Sequence, residues 1–378
     1  MKIEEGTKLD FSDVLIKPKR SETASRKDVR LVRDFKFYHS PRVWEGVPIM
    51  LSNMDTLGCI SVAQEAMKHK IITCLHKYHS ADELYNNFKN CSGETDEVIN
   101  YIWPTVGMKD GDLSNLIEFK HLYGYQPNIC IDIANGYTEK FVSYCAKIRD
   151  AFPASIIMAG NVCTGEMVEE LILHGGVDIV KVGIGGGAFC ETRTVAGVGV
   201  PQLSAVLDCT NHAHGLSNGE HKLGLVCSDG GVVQIADFAK AFGANADFVM
   251  SGSFFIGAEE CEGEWKYNIG NSKRLEELEQ RNLISNNYLS SMKKKTKLKA
   301  YGMSSKEAQA KYGSADYRAS EGRCVWINNK GPISLLISEV FGGLRSACAY
   351  MGTDYIKHMG KCCTFVRVNN THNRTHEQ

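Results

Sequence analysis

Three things are scarce or missing in this chain of 378 residues: net charge, long apolar runs, and cysteines paired at metal-binding spacing. Forty-three Lys and Arg stand against 44 Asp and Glu, a formal net charge of −1, so neither a nucleic acid nor a membrane surface is an expected partner. No stretch of about 18 residues is apolar throughout, which predicts no membrane-spanning helix. The opening Met1-Lys2-Ile3-Glu4-Glu5 lacks the apolar core of a secretory signal. The 14 cysteines include no Cys-x-x-Cys pair, which argues against a structural zinc site. They are scattered, and Cys74, Cys130 and Cys227 lie inside apolar runs. Most therefore read as small buried hydrophobes in a reducing, cytoplasmic setting. Internal repeats and low-complexity tracts are also absent, and the basic run Lys293-Lys294-Lys295 reads as a solvated loop.

What is present is a core, since 43% of the residues are hydrophobic, and a rhythm. Short apolar runs predict strands over Pro48–Ser52, Ile71–Leu75, Val98–Trp103, Asn128–Ile133, Ser155–Ala159, Ile179–Gly183, Leu223–Ser228 and Phe248–Ser251. Amphipathic segments between them predict helices over Ser61–Lys70, Glu139–Ala151, Gly165–His174, Gln202–His212 and Val233–Phe242. Apolar strands in βα order suit burial on both faces, and a closed (β/α)8 barrel accounts for the count better than an open sheet. Polar and glycine-rich residues follow the strands: Asn53-Met54-Asp55, His76-Lys77, Asp132, Gly160-Asn161, Gly185–Gly187, Ser228–Gly231 and Gly252-Ser253. In a barrel these points share one rim, the one on which active sites are built. Two excursions break the rhythm, a loop over 184–200 and a longer insertion over 254–322 with a helix-like Ser272–Arg281. We expect one barrel domain over 1–378, with the second excursion serving as a flap.

The stretch with most chemical content is Val182-Gly183-Ile184-Gly185-Gly186-Gly187-Ala188-Phe189-Cys190-Glu191-Thr192-Arg193. A buried strand empties into three glycines, whose backbone can approach a ligand closely, and then into a cysteine. A cysteine on such a loop, near Arg193, is a candidate nucleophile. Ser228-Asp229-Gly230-Gly231 and Ser251-Gly252-Ser253 end the seventh and eighth predicted strands, where many barrels hold a phosphate on backbone N–H groups. Asp229 could grip a ribose diol.

The ordered set of motifs resembles the IMP dehydrogenase/GMP reductase family nearly end to end. It comprises Leu9-Asp10-Phe11-Ser12-Asp13-Val14-Leu15-Ile16-Lys17-Pro18, Asn53-Met54-Asp55-Thr56, Asp132-Ile133-Ala134-Asn135-Gly136-Tyr137 and the cysteine loop. Further along come Pro201-Gln202-Leu203-Ser204-Ala205-Val206, Tyr301-Gly302-Met303-Ser304-Ser305, Tyr317-Arg318-Ala319-Ser320-Glu321-Gly322 and Gly342-Gly343-Leu344-Arg345-Ser346. The Pro201–Val206 run, Arg193 and the Tyr317–Gly322 run look like the reductase branch. The short span from His76 to Val98 leaves no room for the regulatory modules that the dehydrogenase branch typically inserts there.

The resemblance implies NADPH-dependent reductive deamination of GMP to IMP and ammonia through a thioimidate on Cys190. It makes Cys190, Thr192 and Glu321 catalytic, with Thr192 and Glu321 moving protons at the departing amine. It implies nucleotide contacts from Asp229, Gly230, Gly231, Gly252, Ser253, Met303, Ser304, Arg318, Ser320 and Gly322. It puts Lys77 and Asp132 near the dinucleotide, a potassium ion on the carbonyls of Gly185, Gly187 and Cys190, and the chain in a homotetramer. Alternatives are an IMP dehydrogenase, a member acting on a modified guanine nucleotide, and a nucleotide binder without turnover. Departures from the usual cysteine loop fall at Gly186, Ala188 and Glu191, where the family carries proline, serine and threonine. Ser253 replaces a glycine, and Val200 a tyrosine.

Overall fold

The computed structural model describes residues 3–22, 25–269, 293–313 and 319–369. Its centre is a parallel sheet made of β4 (Ile49–Leu51), β5 (Ile72–Cys74), β6 (Ile102–Trp103), β7 (Thr105–Val106), β8 (Ile129–Asp132), β9 (Ile157–Val162), β10 (Ile179–Val182), β11 (Leu225–Asp229) and β12 (Phe248–Ser251). The order is β6-β5-β4-β12-β11-β10-β9-β8-β7. The two end strands are neighbours in sequence, divided only by Pro104. They form one barrel strand interrupted where proline has no N–H to offer. On one side Leu75 N–H donates to Trp103 O (2.8 Å), and on the other Cys130 N–H donates to Pro104 O (3.0 Å), so the chain itself closes the (β/α)8 barrel.

The strands are buried on both faces because helices cover the outside and side chains fill the inside. In the helix Glu139–Ala151, Phe141, Cys145 and Ile148 are fully buried, the i, i+4, i+7 stripe of an amphipathic helix, and Thr138 caps its first turn. Burying a side chain such as Phe141 stabilises the fold by roughly 1.5–3 kcal/mol. The N-terminal mouth is plugged by a hairpin of β2 (Arg33–Lys36) and β3 (Val43–Gly46). There Phe35 stacks on Phe248 at 4.5 Å and Trp44 packs edge-on at 5.3 Å. With that end sealed, the open end is the C-terminal rim. β1 (Val14–Ile16) pairs with β16 (Phe365–Arg367), tying the two ends of the chain.

An antiparallel sheet of β13 (Trp265–Ile269), β14 (Lys293–Tyr301) and β15 (Cys324–Asn328) stands over the rim. Two expectations need correction. Val98–Trp103 is not a strand throughout, since Thr95–Tyr101 is a helix and only Ile102–Trp103 is extended. Asp96 and Glu97 favour a first helical turn, and Val98, Ile99 and Tyr101 bury one helical face that resembles an apolar run. Lys293–Lys295 is not a loop but the start of β14, where pairing with β13 overrides the local charge. The helix-like Ser272–Arg281 lies outside the described residues.

Candidate active site

The glycine run after β10 turns the chain back over the rim. Gly183 lies in a backbone region closed to most residues (φ +152°), and a Cβ there would sit 1.9 Å from Asp229 O, so only glycine fits between the two strand ends. Gly231 N–H donates to Gly186 O (2.9 Å), which joins the loops after β10 and β11. Cys190 N–H donates to Gly187 O (2.9 Å), which sets the half-buried thiol at the top of this turn.

The flap meets the cysteine backbone to backbone. Cys190 and Gly322 form an antiparallel bridge, Glu191 N–H donates to Glu321 O (2.8 Å), and Arg323 N–H donates to Phe189 O (3.1 Å). A Cβ on Gly322 would sit 2.9 Å from Ser305 N, so this crossing also requires glycine. Out of the crossing comes a continuous chain of hydrogen bonds. Cys190 Sγ donates to Thr192 Oγ1 at 3.2 Å, and Thr192 Oγ1 donates to Glu321 Oε2 at 2.6 Å. Thiol and carboxylate, 131 positions apart, are linked by one hydroxyl, as a relay to a general acid or base requires.

Below this relay lies a fixed cluster of charge. Lys181, fully buried in β10, ion-pairs with Asp132 at the end of β8 and with Asp229 at the end of β11 (3.0 Å). Burial opposes its charge, but the two carboxylates outweigh that and hold the ammonium well above ordinary lysine. Burial likewise opposes ionisation of Asp132, yet Lys181 and Lys77 hold it down to about 2. Lys77 Nζ lies 3.8 Å from Asp132 Oδ2. Asn161 Nδ2 donates to Asp229 Oδ2 at 2.9 Å, the same oxygen that Lys181 engages.

The expected nucleotide contacts surround this centre. Gly230 (φ +106°) and Gly231 (φ +73°) adopt left-handed conformations beside Gly187 and Gln202. A Cβ on Gly252 would meet Ser52 Oγ at 2.5 Å and Met54 Sδ at 2.9 Å, so the chain after β12 packs closely on the side chains that follow β4. Ser253 Oγ is engaged with Val232 O at 3.0 Å. On the flap, Ser304 O accepts from Glu321 N–H (3.1 Å) and Ser320 Oγ donates to Gly322 O (3.3 Å), while half-buried Met303 precedes them. Arg318 and Tyr317 lie outside the described residues.

The family model described as IMP dehydrogenase / GMP reductase domain matches residues 8–377. Proteins named GMP reductase from Buchnera aphidicola subsp. Schizaphis graminum and from Escherichia coli O81 are each 43% identical to the chain over 99% of its length. The alignments cover 98% and 99% of those relatives. The chain belongs to the IMP dehydrogenase/GMP reductase family.

Within that family frame, Gly186 is not in a left-handed conformation and nothing in its backbone requires glycine. Arg193 does not point its charge mainly at Cys190. Its guanidinium forms a two-pronged ion pair with Asp10, at 2.7 and 3.1 Å.

Two features escaped the sequence reading. Lys181 sits in the apolar Ile179-Val180-Lys181-Val182, and a lone lysine inside a buried strand was itself the available signal. Asp55 is the other. Its Oδ2 accepts from Tyr301 Oη (2.6 Å), Tyr312 Oη (3.0 Å) and Lys311 Nζ (3.1 Å), all donors from the flap segment. Tyr312 also stacks on Tyr78 of the β5 loop at 3.5 Å between ring centres. These contacts span some 250 positions and had no local signature.

Proposed function

We propose that this chain reduces GMP with NADPH, giving IMP and ammonia. The observation that carries this reading is the path Cys190–Thr192–Glu321, in which a thiol, a hydroxyl and a carboxylate stand in hydrogen-bond sequence over the barrel mouth.

Cys190 passes its proton through Thr192 to Glu321 and forms a bond from sulfur to C2 of guanine. Glu321 returns that proton through Thr192 to the exocyclic nitrogen, the C2–N bond breaks, and ammonia departs, leaving a thioimidate on Cys190. NADPH, when bound, supplies the hydride that reduces C2. Sulfur then leaves with its electron pair and IMP is released. Overall GMP, NADPH and two protons become IMP, NADP+ and ammonium.

The rest of the rim suits these ligands. Asp229 would take the ribose diol, and the amides of Gly230, Gly231, Gly252 and Ser253 the phosphate, with Met303, Ser304, Arg318, Ser320 and Gly322 closing from the flap. Ser52 Oγ and Asn161 Oδ1 are buried at strand ends without a partner among the described residues, acceptors suited to polar ligand N–H groups. Lys77, a quarter exposed beside Asp132, suits an anionic dinucleotide. The carbonyls of Gly185, Gly187 and Cys190 are neutral oxygens of the kind potassium takes. Gly187 O keeps a second lone pair beyond its bond to Cys190 N–H. A cytoplasmic homotetramer completes the reading.

The test is the loss of NADPH absorbance with GMP and potassium, in wild type and Cys190→Ala. We expect oxidation with stoichiometric IMP and ammonia in wild type, and a loss of roughly 10⁴-fold or more in the variant. No oxidation by wild type, or undiminished oxidation by the variant, would refute the assignment. Replacing potassium by sodium should slow turnover if the carbonyl site is used.

A further inference from the structure

We infer that Asp10 and Arg193 form a clasp that positions the nucleophile loop, so that an N-terminal aspartate outside the reaction site sets the geometry of Cys190 and Thr192. This rests on the functional reading above.

Residues 184–200 leave the barrel at Ile184 and return at Val200, where Val200 N–H reaches Ile184 O (3.4 Å). The stem of Arg193 lies across this neck. A Cβ on Gly185 would stand 2.7 Å from Arg193 Cγ, and one on Gly199 3.0 Å from the same atom. Both glycines also have left-handed φ, +81° and +153°. The neck is therefore shaped around the arginine stem.

The head of Arg193 then makes three bonds. Nη1 donates to Asp10 Oδ2 (2.7 Å), Nη2 donates to Asp10 Oδ1 (3.1 Å), and Nη2 also donates to Val200 O (3.1 Å). The two-pronged geometry fixes direction as well as distance.

Asp10 is itself held from several sides. Its Oδ1 accepts the Gln202 N–H at 2.6 Å, the first amide of the helix Gln202–Gly215. Leu9 and Ser204 exchange two bonds, Leu9 N–H to Ser204 Oγ (2.8 Å) and Ser204 N–H to Leu9 O (3.1 Å). Asp10 N–H donates to Asp13 Oδ2 (2.7 Å). Burial opposes ionisation of Asp10, but Arg193 and the Gln202 amide prevail and keep its carboxyl below the usual range.

The consequence reaches the chemistry through one peptide bond. Arg193 directly follows Thr192, whose hydroxyl links Cys190 to Glu321. The flap crossing holds Phe189 and Glu191 from above. The clasp holds the next residues through contacts separate from that crossing, to Asp10 and Val200. With about a third of each side chain exposed, the pair adds little to global stability, so its effect falls on position.

The test uses the full chain as Arg193→Ala, Arg193→Lys, Asp10→Ala and the Asp10→Ala/Arg193→Ala double variant. We expect kcat to fall roughly 10- to 100-fold in each, the order that a misplacement of about 1 Å costs, with little change in KM for GMP or in melting temperature. Because the pair acts as a unit, the double variant should be no slower than either single one. Added guanidinium ion should partly restore Arg193→Ala but not the double variant. Full additivity, or wild-type kcat in Arg193→Ala, overturns the clasp. A second readout needs no turnover: iodoacetamide labelling of Cys190, followed by mass of its peptide, should speed up in Arg193→Ala as the loop loosens. If wild type does not oxidise NADPH, the functional reading fails while labelling still decides the clasp. An unchanged or slower labelling rate refutes it.

Discussion

Two sets of carboxylates stand at the barrel mouth, and they are held in opposite ways. Asp132 and Asp229 end strands β8 and β11 and are gripped from within by Lys181, which is buried in β10 between them. Asp55 and Glu321 are gripped across a seam between barrel and flap: Asp55 by Tyr301, Lys311 and Tyr312, and Glu321 by Thr192. The first set exists whenever the barrel is folded. The second requires that Tyr301, Lys311 and Tyr312 on one side, and Glu321 on the other, lie on the rim. Fixed charge is thus built into strands, whereas the hydrogen-bonded chain from Cys190 to Glu321 is built across a joint that Asp55 also spans. If this segment closes on substrate as a flap, its closure and the alignment of Glu321 with Thr192 should go together, which the variants below test.

The largest expected effect breaks the strand-borne set. Lys181→Met leaves two carboxylates facing each other without their common cation, which should cost roughly 3–5 kcal/mol in a urea unfolding experiment. An unchanged urea midpoint would mean that water or relaxation replaces the lysine. Next comes the joint. Glu321→Gln keeps the hydrogen bond to Thr192 but removes the proton store, so kcat should drop about 100-fold with stability unchanged. A comparable loss of stability in this variant would erase the contrast between the two sets.

A pH titration sharpens the comparison further. The folded-state pKa of Asp132 lies near 2, below its ordinary value of 3.8. Its stabilising contribution is therefore complete above about 3.8 and is lost as pH falls through about 2. The difference is worth roughly 2 kcal/mol. Urea midpoints measured between pH 5 and pH 2 should show this loss in wild type and a weaker one in Lys181→Met, where Lys77 remains near Asp132 but the largest depressing charge is gone.

How much of this was legible in the sequence follows the same division. The barrel could be read because each strand is a short apolar run closed by polar residues or glycine, and such punctuation is local. Cys190 stood out because three glycines before a cysteine serve no packing purpose in a strand. Its link to Thr192 and Glu321 was expected from family resemblance, not from spacing. The helix Thr95–Tyr101 is not legible as one because burying Val98, Ile99 and Tyr101 beside Ile102 and Trp103 presents nearly continuous apolar sequence. Lys181 and Asp55 were missed as organising residues since their partners lie on other strands or on the flap, and pairwise contact across a closed barrel leaves no periodic trace.

The smallest effect tests the joint most directly. Asp55→Asn preserves volume at a buried site but replaces a carboxylate that accepts from two tyrosines and a lysine with a neutral amide. Burial and the Asp55 charge both push the Tyr301 hydroxyl up, so it stays protonated and donating at neutral pH. With Asn in place the three flap donors lose their common anion, and the closed flap should become less populated by about tenfold, or roughly 1.4 kcal/mol. A substrate that must be enclosed by the flap then binds more weakly in proportion. KM for GMP should therefore rise about tenfold, while kcat at saturation, where ligand holds the flap down, changes little. A fall in kcat at unchanged KM would show instead that Asp55 tunes the relay itself, and that closing the flap and aligning Glu321 are separable steps.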